Sequence, residues 1–311
     1  MIAQFGVFGP AYAFVDARLD LFLGESLPRV AAEAAGPTRA ALVLYVLLYG
    51  VAILRGAIAE PILDFAVRSV KLAIVHQLAT TSAYGDWVTV PLFHLLPDAL
   101  AQAVSGTRGS DAGAAFDDFL ARAGYLGQKA AAAATAFDWL PLVVSAIVLA
   151  VGALAAALGF GVVLLAKTAL ALLVALGPIF VACALFEATR RFFFGWLAQA
   201  VNYLVLFALI LAVFQLVLAL VADRWADLDG QDPVLAGLLF TALSLLAAIF
   251  FLQTPAIAAG VAGGASLGLA DFGAAAGLRG HTAVHTRPAG AGGRPQTRRE
   301  GGTVRPIGAP A

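Results

Sequence analysis

Apolar residues come in long unbroken runs along this chain, and polar residues are gathered between them. Ala40 to Leu54 is the first run, long enough with its flanks to cross a hydrocarbon core of about 30 Å. Arg55-Gly56 ends it and Glu60-Pro61 opens the next element, where Arg68 and Lys71 lie one turn apart and snorkel toward the interface. Only Leu72 to Ala83 of that element is strongly apolar, and it holds His76 and Gln77, so this span needs neighbouring helices. Between Leu140 and Val221 the charged residues are Lys167 and the cluster Glu187, Arg190, Arg191. A helix apolar on every face belongs inside a very large protein or in lipid, and 311 residues do not make the former. The apolar runs here are Leu140–Ala166, Thr168–Phe186 and Phe192–Val221, followed by Val234–Leu252.

The intervening segments differ in character. Residues 1–37 place Tyr12, Val15, Leu19, Phe22, Leu27 and Val30 at helical spacing among Asp16, Arg18, Asp20 and Glu25. That pattern predicts one or two short amphipathic helices broken at Pro28 and closed by Gly36-Pro37. Such a segment lies on the membrane surface or a partner, or packs on the rest of its own domain. Residues 84–138 form the largest polar segment, with six aspartates against Arg108, Arg122 and Lys129. An extramembrane subdomain with an alanine-rich helix near Lys129–Phe137 is expected there. Asp223, Asp227, Asp229 and Asp232 make a short acidic loop. From Gly260 the chain is rich in glycine and alanine, and beyond Arg279 it is a Gly/Pro/Arg tail expected to be disordered. The resulting division is 1–37, 38–83, 84–138, 139–259 and 260–311.

Composition agrees with lipid as the solvent: 61% of residues are apolar and 12% charged, against roughly 45–50% and 25% in soluble domains. The net charge is zero, so no global field draws nucleic acid. The first basic residue is Arg18, so no basic-headed signal peptide is expected and the chain enters the membrane through its own spans. Basic residues favour the cytoplasmic side. Arg55, Arg68, Lys71, Arg190, Arg191 and the tail are therefore expected inside, and the N-terminus and aspartate-rich segments outside. Two crossings between Asp138 and Arg190 would put the arginines outside, and one straight helix there would be about 70 Å long. The expected resolution is that Leu140–Ala166 spans, Lys167 marks the inner face, and Thr168–Phe186 is a re-entrant hairpin broken at Gly177-Pro178. The fold class is thus all-α, a polytopic membrane protein of about five transmembrane helices plus that hairpin.

Candidate chemistry is sparse. No Gly-rich loop ends in Gly-Lys-Ser/Thr and no His-Glu-x-x-His occurs. His281 and His285 lie in the tail, and Ser145 with His76 has no supporting nucleophile motif. Neither enzymatic activity nor a cofactor is expected. The lone Cys183 allows no internal disulfide. Gln199 and Asn202 share a helix face, with Gln215 further along; they bond to neighbouring helices or line an aqueous path. Trp196 is an interfacial anchor or a subunit contact. Gly152, Ala155, Ala156 and Gly159 form a small-residue face of the kind that lets helices approach closely in lipid, here expected to join copies of the chain.

The run Gly177-Pro178-Ile179-Phe180, then Leu185-Phe186-x-x-Thr189-Arg190-Arg191-Phe192, Trp196-Leu197 and Asn202-Tyr203 resembles the TrbL / VirB-six family. So does Tyr49-Gly50, Leu54-Arg55-Gly56, Glu60-Pro61, Phe65, Arg68, Lys71 and then Tyr84-x-x-Trp87. The family comprises polytopic inner-membrane subunits of bacterial type IV secretion and conjugation machines. The resemblance, over roughly Ala40 to Pro255, implies five spans with a periplasmic N-terminus and a channel and pilus-assembly role. The implied partners are the system's ATPases, a bitopic scaffold protein, pilin and minor pilin, and the outer core. Passing contact with translocating DNA or protein is implied for residues 84–138, although their aspartates outnumber their basic residues. Trp196 is implied as an assembly determinant. The rival reading is a stand-alone solute transporter, which would usually carry paired repeats with two matching breaks; only Gly177-Pro178 is such a break.

Overall fold

The computed structural model describes residues 6–56, 61–135, 137–230 and 232–273, and they are helical almost throughout. The elements are α1 (Phe8–Leu54), α2 (Pro61–Thr80), a π-helix (Gly85–Leu95), α3 (Leu96–Ser105) and α4 (Ala112–Ala132). There follow α5 (Leu140–Ala182), α6 (Glu187–Gly230) and α7 (Pro233–Gly273). Among the described residues four of them, α1 and α5 to α7, are long and apolar enough to cross a membrane; α2, at 20 residues, is not among these four. Residues 6–272 form one compact unit. The tail expected to be disordered from Gly260 is helical as far as Gly273, where α7 ends; its remainder, with His281 and His285, and Glu60 of the first hairpin lie outside the described residues.

Three helices run through positions where the sequence predicts breaks. α1 continues through both Pro28 and Pro37 instead of dividing into short amphipathic helices. Each proline removes the donor to the carbonyl four residues earlier. Those carbonyls belong to Gly24 and Glu33, both exposed, so other donors can reach them and the helix persists. Gly56 at φ +69 ends α1, with the Arg55 and Gly56 N–H groups bonding back to Val51 and Ile53. The acidic stretch after Val221 is not a loop: α6 remains helical to Gly230, and Asp232 accepts from the N–H of Val234 (2.9 Å) to cap α7.

The third is α5, which is a single helix of 43 residues through Gly177-Pro178. The re-entrant break expected there is absent. The chain turns five residues later, through a 3₁₀ turn at Cys183–Leu185 and an extended Phe186. At 1.5 Å per residue α5 is about 65 Å long, twice the hydrocarbon thickness, so the continuous helix forms with part of its length beyond one hydrocarbon core.

Residues 84–138 pack into the same core as the long helices. α4 presents Phe116, Phe119, Ala123 and Leu126 to α5, α6 and α7, and Phe116 stacks on Phe214 with ring centres 4.0 Å apart. α4 is antiparallel to α5 and α7 runs parallel to it: Gly127 meets Leu149, Gly152 meets Ala123 and Phe240, and Gly159 meets Phe116 and Phe251. The small-residue face is therefore filled inside the chain, not left free to join copies. A Cβ on Gly152 would lie 2.8 Å from that of Ala123, and one on Gly159 2.7 Å from the Phe116 ring. Ala155 and Ala156 on this face are fully buried.

Candidate functional site

Pro178 has no N–H, so the carbonyl of Val174, four residues earlier, loses its helical donor. A buried carbonyl without a partner costs about 1–3 kcal/mol, and the structure supplies one from another element. Tyr84, just before the π-helix, donates its hydroxyl to the Val174 oxygen at 2.9 Å. The next carbonyl back, Leu173, accepts from Trp196 Nε1 at 2.8 Å. Both rings reach the helix backbone because residue 177 is glycine. A Cβ there would fall on Tyr84 Oη and come within 3.1 Å of the Trp196 ring. Tyr84 and Trp196 are 2% and 5% exposed, so Trp196 is an internal clasp and not a headgroup anchor. Phe180 stacks on it at 6.3 Å and Phe193 packs at 5.9 Å. Burial pushes the Tyr84 phenol well above its ordinary value.

The turn beyond the clasp is built by the next motif residues. Phe186 O accepts from the N–H groups of Thr189 and Arg190, starting α6. Thr189 Oγ1 donates to Cys183 O at 2.7 Å. Tyr45 of α1 packs on Phe186 at 6.0 Å and accepts from Arg68 Nη1 at 3.1 Å. Arg68 also lies over the Tyr49 ring, which packs on Phe65. The first hairpin and the α5–α6 turn thus share one end of the molecule, and Arg68 is bound across α1 and α2 instead of snorkelling. Arg55 and Arg191 are exposed, and Arg191 covers the Phe192 ring; Lys71 and Arg190 are both engaged.

Midway along α5 the structure departs further from expectation. Lys167 does not mark a membrane face: its side chain is 11% exposed, pairs with Asp16 at 2.5 Å and donates to Tyr12 Oη at 3.1 Å. The rings of Tyr12 and Phe93 lie 5.0 and 5.2 Å from its ammonium. One turn on, Asp20 faces His94 at 3.5 Å. Asp117 of α4 accepts from the N–H groups of Val7, Phe8 and Gly9, each at 2.8 Å, so the start of α1 is capped by a carboxylate from another helix. The first half of α1 is thereby pinned along α4 and α5.

The other sequence candidates are scattered. Gln199 is exposed on α6, Asn202 Oδ1 is buried with no partner among the described residues, and Gln215 donates to Thr107 Oγ1 at 3.4 Å. Ser145 packs at the α4 end of α5, whereas α2, which carries His76, packs near Leu170–Val174. That separates the pair by about 40 Å of helix, too far for nucleophile and base. Among the described residues no three His, Cys, Asp or Glu side chains gather as a metal site would need. Sequence reasoning missed Tyr84 as the donor for Val174, and Tyr12 and Asp16 as partners of Lys167. The readable signal was the deficit itself, since a proline inside an apolar helix and a lysine inside an apolar run both require a partner.

Residues 42–259 match the family described as TrbL/VirB6 plasmid conjugal transfer protein. The chain is 25% identical over 271 residues to the type IV secretion system protein VirB6 of Bartonella henselae, covering 84% of this chain and 81% of that protein. It is 23% identical over 256 residues to the protein of that name from Bartonella quintana, covering 79% and 76%. The match begins after the pinned first half of α1 and takes in the hairpin, the clasp and the turn. With those elements in place, this all-α polytopic membrane protein belongs to the TrbL/VirB6 family.

Proposed function

We propose that the protein is a non-enzymatic inner-membrane subunit of a type IV secretion system, acting as scaffold and channel component in substrate translocation and pilus assembly. The observation that carries this reading is the family match over residues 42–259, joined by two relatives named as type IV secretion proteins. The geometry supports a structural role. The polar side chains brought inside the bundle, Tyr84, Trp196, Lys167 and Asp117, are spent on holding helices to one another. Its partners are the system's ATPases, bitopic scaffold, pilins and outer core, with passing contact to the DNA or protein in transit and assembly with further copies. Arg55, Arg68, Lys71, Arg190 and Arg191 face the cytoplasm in this reading, supported by the Tyr45–Phe186 contact that gathers them at one end. α7 runs toward that same end, which supports a cytoplasmic C-terminus in the same reading.

Copurification from native membranes tests the role. Recovery of the chain with an ATPase and a pilin is the expected result; saturable uptake of a small solute by the purified protein alone would overturn it. A reporter after Ala311 that is readable only from the periplasm would overturn the orientation.

A further inference from the structure

The outward stripe of α5 is longer than lipid can cover. Leu140, Val143, Ile147, Leu154, Leu165 and Leu172 lie exposed along it, and Leu176 and Ile179 continue it. Ala150, Ala157 and Gly161, exposed as well, fill places between them. Residues 140–179 include one charged side chain, Lys167, and it is turned inward onto Asp16. The stripe is therefore apolar for about 60 Å. A hydrocarbon core is about 30 Å thick, and a helix tilted by about 40° passes only about 40 Å of its length through it. Wherever the bilayer sits, about 20 Å or more of exposed apolar surface is left for protein to cover.

The part of the stripe shaped for a helix is residues 140–157. Leu140, Ile147 and Leu154 are large and recur every seventh position, and Val143, Ala150 and Ala157 follow each of them by three. That is the spacing of a knobs-into-holes seam, with large side chains alternating with smaller ones. It is not the face that α4 and α7 fill. Leu154 and Gly161 stand two positions beyond Gly152 and Gly159, about 200° round the helix, so the seam points away from α7. α7 carries the matching surface. It is uncharged over residues 233–252 and turns Leu235, Leu239, Leu246 and Ile249 outward, away from α5. It also runs parallel to α5, with Gly237 against Val144 and Gly159 against Phe251. The holes of α5 and the knobs of α7 thus share one height on opposite sides of the α5–α7 pair. Copies in one membrane are related by rotation about its normal, which preserves height, so the two surfaces of neighbouring copies meet in register. We infer that the α5 seam at residues 140–157 docks the outer face of α7 from a second copy, in the head-to-tail manner that closes a ring. This rests on the scaffold reading above and names the surface by which copies of that scaffold assemble.

Disulfide trapping tests it in the full-length chain, in native membranes, with Cys183→Ala as background. Leu154→Cys on the seam and Leu246→Cys on α7 point away from each other within one chain, so a disulfide between them joins two copies. Oxidation of the double variant with copper phenanthroline should give a ladder of chain multiples, and neither single variant should give one. Adding Ala157→Leu at its exposed position fills a hole of the seam and should reduce the ladder about tenfold or more, with the same amount of chain in the membrane. Absence of a ladder would overturn the inference, as would a ladder that Ala157→Leu leaves unchanged. Dimers from Leu154→Cys alone, which mean seam-on-seam pairing, would overturn it too, as would trapping of that thiol to a different protein. Copurification with an ATPase and a pilin keeps the two readings apart. A ladder from a chain that recovers neither sinks the secretion role alone, whereas recovery of both without a ladder sinks the ring contact alone.

Discussion

Tyr84 and Pro178 form a pair that a double-mutant cycle can interrogate. In Tyr84→Phe the ring stays and the hydroxyl that reaches Val174 O at 2.9 Å is lost. Because Pro178 provides no N–H, that buried carbonyl is left without a donor, at a cost of about 1–3 kcal/mol. In a Pro178→Ala background, residue 178 regains its N–H and the carbonyl has a helical partner. The same Tyr84→Phe change should then cost only about 0.5–1 kcal/mol, the ordinary net worth of one hydrogen bond. The difference, about 1–2 kcal/mol, is within the range measured for directly coupled sites. The assay is reversible unfolding of the four variants by titrating a denaturing detergent into mild micelles, read by the loss of helical circular dichroism. A Tyr84→Phe cost that agrees to within about 0.5 kcal/mol in the two backgrounds would refute the claim that Tyr84 stands in for the missing donor.

The pH dependence follows with a definite sign. Burial raises the Tyr84 phenol in the folded chain, so folding favours its protonated form. The stability this represents is fully present below the unfolded value of about 10 and is lost as pH climbs beyond it toward the folded value. Tyr84→Phe should remove that alkaline decline; a decline of unchanged steepness would show that it arises elsewhere.

Three further predictions concern the core and the pinned start of α1. Lys167→Met alone should cost about 1–3 kcal/mol, below the value for a fully buried pair because Asp16 keeps 29% of its side-chain exposure. Adding Asp16→Leu should recover most of it, measured by limited proteolysis of residues 6–30. Gly159→Val, forced onto Phe116 and Phe251, should destabilise by about 1–3 kcal/mol or more. Gly161→Ala, with open space around it, should be neutral or slightly stabilising, by up to about 1 kcal/mol. Asp117→Ala should cost about 0.5–2 kcal/mol and speed hydrogen exchange at Val7, Phe8 and Gly9, with Asp117→Asn milder.

What could be read in the sequence divides by the range over which its cause acts. The apolar runs of α5, α6 and α7, the Arg55-Gly56 stop and the fold class depend on windows of one or two dozen residues, and these are legible. The break at Gly177-Pro178 fails because its remedy lies 90 residues away in Tyr84. A local rule about proline has no access to a donor from another helix. Lys167 fails likewise: placing it at an interface is sound for a lone lysine, but Tyr12, 155 residues earlier, and Asp16 make an internal position tolerable. α4 is a different kind of miss. Phe116, Phe119, Ala123, Leu126 and Ala130 recur at alternating steps of three and four and all are buried, so the inward face was legible by period alone. The aspartates of that segment drew attention to its polarity, when their position on the opposite face made the helix amphipathic. A charge-rich segment can therefore pack into the core of a helical bundle if its charges keep to one side.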